Sequence, residues 1–246
     1  MTDQGQRVAV VMGGSRGIGR AISTRLASDG LAVVVNYSSG AGAAEDTVST
    51  ITAAGGLAIA VQADVADALA VSALFDRAEG EFGAIDVVVN SAGRLTLSTI
   101  ADQDLDVLDA LHRTNIRGSF VVAQQSARRL REGGSIVGMS TSVVGTQFPT
   151  YGAYVASKSA IEGMTMILAK ELRGRNITAN TVAPGPTATE LFLDGKTEEQ
   201  IDALAKVPPL ERLGTPEDIA RVVSFLVSAE GHWINGQTIR ANGGMV

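Results

Sequence analysis

The feature that most constrains this chain is a regular alternation of short, nearly continuous apolar runs with longer amphipathic stretches. Val8–Met12, Ala32–Val35, Leu57–Val61, Ile85–Val89, Ser135–Met139 and Ile177–Val182 are rich in Val and Ile and carry few polar interruptions. A strand with one wet face alternates polar and apolar residues. A run that is apolar at successive positions suits a strand buried on both faces, as in a parallel sheet. The stretches between predict helices over Gly17–Ser28, Ala43–Ala54, Ala66–Glu81, Asp102–Leu130 with a break near His112, Ala153–Leu172 and Pro216–Ser228, and a seventh strand follows at Gln237–Arg240. Parallel neighbours joined through helices need right-handed crossovers, so the expected fold is α/β, a doubly wound parallel seven-stranded sheet with helices on both faces. No linker or repeat divides residues 1–246, which read as one domain. Its one long irregular stretch begins at Pro184 and leads to a short helix over Thr197–Lys206; residues 184–210 are expected to form a substrate loop.

Composition removes several function classes. The net charge of −6 makes the chain a poor general binder of nucleic acid or anionic membrane. It has no cysteine and two histidines, which argues against disulfides, thiolate sites and a histidine-rich metal centre, so no metal is expected. Met1–Arg7 is polar, without the basic and apolar regions of a secretory leader, and no apolar run approaches a membrane span. The expectation is a cytoplasmic protein acting on a small molecule.

The first strand runs into Gly13-Gly14-Ser15-Arg16-Gly17-Ile18-Gly19 and then a helix. Glycines belong where a chain turns sharply and a pyrophosphate must approach bare backbone, and the following helix offers free N–H groups to the phosphates. No Gly-Lys-Ser/Thr follows, so the turn is not a Walker loop. The second strand ends at Asn36-Tyr37-Ser38, where many dinucleotide folds carry an acid for the adenosine ribose. Neutral Asn36 would not repel a 2′-phosphate, Arg16 is placed to pair with it, Ser38 to hydrogen-bond it and Tyr37 to stack on adenine, which together favour NADP(H) over NAD(H). Further on, Tyr154 and Lys158 share one helix face at i,i+4. A free phenol, with a pKa of about 10, is a weak acid–base catalyst, and a neighbouring ammonium is expected to lower it.

These features occur in a fixed order with Asn90-Ser91-Ala92-Gly93, Asn115, Ser140-Thr141-Ser142 and Pro184-Gly185, all at the carboxyl ends of strands or on helices that can face them. In that combination, from Arg7 to Val246, the chain resembles the short-chain dehydrogenase/reductase family, and within it the members labelled 3-oxoacyl-[acyl-carrier-protein] reductases. The resemblance implies a Rossmann-type sheet, a homotetramer, and reversible hydride transfer between NADP(H) and a ketone, aldehyde or 3-oxoacyl substrate at its CH–OH position. It implies Tyr154 as acid–base residue, Lys158 on the nicotinamide ribose, Asn115 positioning a water, and a hydroxyl on the substrate carbonyl. Local wording favours Ser142 for that hydroxyl, although ungapped spacing from Tyr154 points to Thr141, with Ser140 one further back. It also implies that Asn90, Ala92 and Gly93 pack on the cofactor, that Asp64 and Val65 contact adenine, and that Pro184, Gly185, Thr187 and Thr189 cover the nicotinamide side. Val144, Phe148, Pro149, Leu191 and Phe192 are expected to set the substrate, and Trp233 to be a packing residue. Met12, Ser91 and Gly138 depart from the family pattern, and looser local packing is expected there. The competing reading is a non-catalytic nucleotide sensor or scaffold on the same fold, which intact Tyr154, Lys158 and Asn115 argue against.

Overall fold

The computed structural model describes residues 5–246; Met1–Gln4, part of the polar stretch used above, lie outside the described residues. Strand β1 (Val8–Met12) leads through the glycine turn into α1 (Gly17–Ser28), followed by β2 (Ala32–Tyr37), α2 (Ala41–Ala53), β3 (Ala58–Gln62), α3 (Ala68–Phe82) and β4 (Val87–Asn90). The second half runs through α4 (Leu105–His112), a π-helical turn (Arg113–Arg117), α5 (Gly118–Arg129), β5 (Ser135–Met139), α6 (Val143–Thr146), α7 (Gly152–Glu171) and β6 (Thr178–Pro184). It closes with α8 (Glu190–Leu193), α9 (Glu198–Ala205), α10 (Pro216–Leu226) and β7 (Thr238–Ala241). The seven strands lie in the order β3-β2-β1-β4-β5-β6-β7, and every pair is parallel.

The unbroken apolar runs are explained by two cores, one on each face of this sheet. Along β1, Val8, Val10 and Met12 meet Leu74 and Phe75 of α3, Val121 of α5 and Leu168 of α7. Ala9 and Val11 point the other way, toward Ile22 and Leu26 of α1 and Ile219 and Val223 of α10. Both sets are buried, at about 1.5–3 kcal/mol for each large side chain taken from water. Helix ends follow local chemistry. Asp67 caps α3 by accepting from the N–H groups of Leu69 and Ala70, which starts the helix two residues after the predicted Ala66. Thr215 and Asp218 form a capping box around Pro216 at the start of α10.

Three differences from the sequence reading stand out. The break expected near His112 is a π-helical turn centred on Asn115, a wider turn often found at functional positions. The four-residue helices α6 and α8 are too short for periodicity to reveal. The expected looseness at Gly138 is reversed: a Cβ there would stand 3.0 Å from Ile161 Cγ2 of α7, so glycine lets that helix sit close to β5.

Candidate active site

All seven strands point their carboxyl ends at one edge, and β1 and β4 part there because α1 and the segment after β4 leave in different directions. An open cleft of about 1480 Å³ follows this edge. The glycine turn forms its floor. Gly13 has φ +68°, and a Cβ on it would lie 2.9 Å from the backbone of Ala92; a Cβ on Gly19 would lie 2.0 Å from the carbonyl oxygen of Gly13. Arg16, the N-cap of α1, makes no side-chain cap, so the first N–H groups of that helix remain available to an anion.

Ser15, Arg16, Gly17, Ile18, Asn36, Tyr37 and Ser38 line the cleft, with Asp64 and Val65. The Arg16 guanidinium lies across Gly40, where a Cβ would be 2.3 Å from Nη2, and none of the ion pairs among the described residues involves it. Asn36 differs from expectation. It is 1% exposed; its Nδ2 donates to the carbonyls of Val61 (3.2 Å) and Ala63 (3.0 Å), and its Oδ1 accepts from the Gly13 N–H at 3.1 Å. The side chain therefore ties the glycine turn to β2 and β3, while the residue still lines the cleft. Asp64 is likewise engaged, with Oδ1 accepting from the Ala66 N–H and Oδ2 paired with Arg113 at 2.6 Å. Arg113 lines the cleft too and was missed from sequence, since nothing in a helical pattern marks it.

At the other end α7 brings Tyr154 and Lys158 to the end of β5. Lys158 Nζ donates to the Met139 carbonyl at 2.8 Å and lies 5.7 Å from the centre of the Tyr154 ring. Burial moves both groups toward their neutral forms. The Tyr154 phenol is pushed up to about 12, chiefly by burial and then by Tyr151, with the neighbouring Thr141 hydroxyl acting in the opposite direction. The Lys158 ammonium is brought down to about 8 by burial. The lowering expected from Lys158 is not among the causes of the Tyr154 shift: burial raises the phenol, and the ammonium's hydrogen bond goes to the Met139 carbonyl.

The three neighbouring hydroxyls have different partners. Ser140 donates to Glu162 Oε1 at 2.5 Å. Ser142, the expected partner of the substrate, donates to the Ala183 carbonyl at 3.0 Å and accepts from Asn242 Nδ2 at 2.9 Å. Thr141 Oγ1 accepts from the Val143 N–H at 3.3 Å, and among the described residues its hydroxyl hydrogen meets no acceptor, so of the three it is the one with a donor to spare. Asn115 is fully buried. Its Nδ2 donates to the Arg94 carbonyl at 2.9 Å and to Ser157 Oγ at 3.0 Å, and its Oδ1 accepts from the Arg94 N–H at 2.8 Å. With both amide hydrogens engaged, its side chain clasps the segment after β4 to α7; water positioning by that amide donor is not what the geometry offers. Asn90 does not line the cleft, and its Nδ2 donates to Ser119 at 3.0 Å; Ser91, Ala92 and Gly93 line it instead. Pro184, Gly185, Thr187 and Thr189 form another stretch of wall, and Thr189 caps α8. Of the residues expected to set the substrate, Phe148, Leu191 and Phe192 line the cleft; Val144 and Pro149 do not, while Tyr151 and Met245 join it.

The family model described as Enoyl-(Acyl carrier protein) reductase matches residues 13–246. A short-chain type dehydrogenase/reductase of Picea abies is 46% identical over 252 residues, covering 98% of this chain and 93% of its own. The chain belongs to the short-chain dehydrogenase/reductase family. This short-chain dehydrogenase/reductase is also 45% identical to the NADPH-dependent aldehyde reductase-like protein, chloroplastic, of Arabidopsis thaliana, over 98% of its own length and 94% of the relative's. The solved structure of a short-chain dehydrogenase from Burkholderia cenocepacia in complex with NADP aligns with a TM-score of 0.92 at 40% identity, over 98% of each chain. A dinucleotide fits the residues present: a floor too close for a Cβ, open N–H groups on α1, and, at Gly40, an arginine with no ion pair among the described residues.

Asn36→Asp would replace two buried N–H donors with a carboxylate facing the Val61 and Ala63 carbonyls. It is expected to lower the unfolding free energy by about 1–3 kcal/mol or more, measured by urea denaturation, before any change of cofactor preference. Unchanged stability would show that the side chain does not hold those carbonyls.

Proposed function

We propose that this protein is an NADPH-dependent carbonyl reductase, able to run in reverse as an alcohol dehydrogenase, acting on a ketone, aldehyde or 3-oxoacyl substrate. The observation that carries the reading is Tyr154 with Lys158 one turn along α7, Nζ 5.7 Å from the ring centre, both lining the cleft beside Thr141. When bound, the reduced nicotinamide supplies a hydrogen with its electron pair to the carbonyl carbon. Tyr154 supplies the balancing proton to the carbonyl oxygen. A phenol pushed up to about 12 carries its proton at neutral pH, the form that reduction requires, and a cation brought beside it would lower it toward the working range. Thr141, in place of Ser142, donates to the same oxygen, and Lys158, still mostly cationic at pH 7 with a pKa near 8, holds the ribose hydroxyls. Arg16 and Ser38 take the 2′-phosphate, Tyr37 the adenine, and Gly13 to Gly19 the pyrophosphate.

Turnover of NADPH at 340 nm with a panel of carbonyls tests the reading. Tyr154→Phe is expected to lose about two to four orders of magnitude, the usual contribution of a general acid. Thr141→Val should lose more activity than Ser142→Ala. An active Thr141→Val beside a dead, folded Ser142→Ala would return the role to Ser142.

Charge-assisted pairing with a phosphate is worth about 1.5–3 kcal/mol, roughly a ten- to hundredfold factor. Arg16→Ala should therefore weaken NADPH by that factor, with little change for NADH, in kcat/KM for both cofactors. A wild-type preference for NADH would overturn the assignment.

We also propose a cytoplasmic homotetramer. Phe120 of α5 and Met166 and Ile167 of α7 are more than half exposed, and Trp233, expected to be a packing residue, is 99% exposed. These apolar side chains gain from covering by a second subunit. Light scattering should give four chains per particle; a stable monomer at micromolar concentration would refute it.

A further inference from the structure

Three aromatic rings rise in a series from the proton donor. Tyr154 meets Tyr151 with ring centres 6.4 Å apart, and Tyr151 meets Phe148 at 6.2 Å, both edge-to-face at 61°. All three line the cleft, and none is fully buried. The backbone that brings Phe148 back onto Tyr151 is strained. Gln147 at φ +53° and Thr150 at φ +71° hold left-handed conformations on either side of it, and a β-branched threonine there is a clear outlier. Strain of this kind persists where the surroundings require a particular placement, here the return of one ring onto the next.

Resting on the reductase reading above, we propose that this site selects carbonyl groups attached directly to an aromatic ring, and that Tyr151 is the residue that selects them. A carbonyl oxygen held by Tyr154 and Thr141 puts the group on its carbon within reach of the next ring in the series. An aryl ring there extends the edge-to-face arrangement, whereas a saturated ring of similar size gains only apolar contact. Val143, Leu191, Phe192 and Met245 supply apolar surface in the same cleft. An added aromatic pair is worth roughly a two- to twelvefold preference beyond area alone. The reaction is that of the site: the aryl carbonyl gains two electrons and a hydrogen from NADPH and a proton from Tyr154, giving the aryl alcohol and NADP.

The test compares benzaldehyde with cyclohexanecarbaldehyde and 1-tetralone with 1-decalone in NADPH oxidation. The matching alcohols serve as competitive inhibitors, which separates ring recognition from intrinsic carbonyl reactivity. Inhibition constants should favour the aromatic alcohols by about tenfold. That ratio should fall toward unity in Tyr151→Leu, fall less in Phe148→Leu, and persist in Tyr151→Phe. Equal constants for aromatic and saturated alcohols in the wild type, or an unchanged ratio in Tyr151→Leu, would overturn the inference while leaving the reductase reading intact. No NADPH oxidation with any of the four carbonyls would overturn both.

Discussion

Everything at the functional edge depends on β1 being paired in parallel with β2 and β4 at once. A strand hydrogen-bonded on both sides and covered on both faces leaves the chain only its carboxyl end for contact with a ligand. Because the connections after β1 and β4 leave differently, no helix closes the gap between them, and a crevice follows. The approach of Gly13 to Ala92 sets the depth of that crevice. Residues after β2 and β3 furnish part of its wall, and residues after β4, β5 and β6 the rest.

Three asparagines hold the loops around the crevice. Asn36 joins the glycine turn to β3, Asn115 joins Arg94 to Ser157, and Asn242 joins Ser142 to the backbone of Val246. A carboxamide presents both an acceptor and donors, so it can stand in for a missing backbone partner where neither sheet nor helix supplies one. The same property makes such a residue hard to read from sequence: an amide near a ligand pocket is equally suited to touch the ligand or to brace the loop beside it. Asn36 and Asn90 were expected to meet the cofactor; the amides of both are engaged with protein, and Asn36 lines the cleft where Asn90 does not.

Tyr154 and Lys158 show a related division. Their spacing on α7 was enough to place them on one face. The sign of the electrostatic effect was not, because it depends on depth. In water an ammonium four residues away would favour the phenolate; inside this protein burial disfavours charge on both groups, raising the phenol and lowering the amine.

The sheet was legible from the amino-acid order, since short Val- and Ile-rich runs apolar at successive positions suit strands buried on both faces, as β1, β2, β4 and β6 are, although the same kind of run also marks the half-buried edge strand β3; the glycine turn and the order of motifs along the edge were legible too. Strand boundaries at Val8–Met12 and Ser135–Met139 and the helix Gly17–Ser28 were legible to the residue. The tertiary structure alone decided where side chains within those motifs point. Among Ser140, Thr141 and Ser142 the chemistry is nearly the same and the positions are consecutive, so only the packing of α7, β6 and the tail against this loop separates a hydroxyl on Glu162 and one on Ala183 and Asn242 from the Thr141 hydroxyl, which accepts from the Val143 N–H. Periodicity reports which face of an element is buried; it carries no information about which of several polar groups meets which partner, because that is set by chains far apart in sequence.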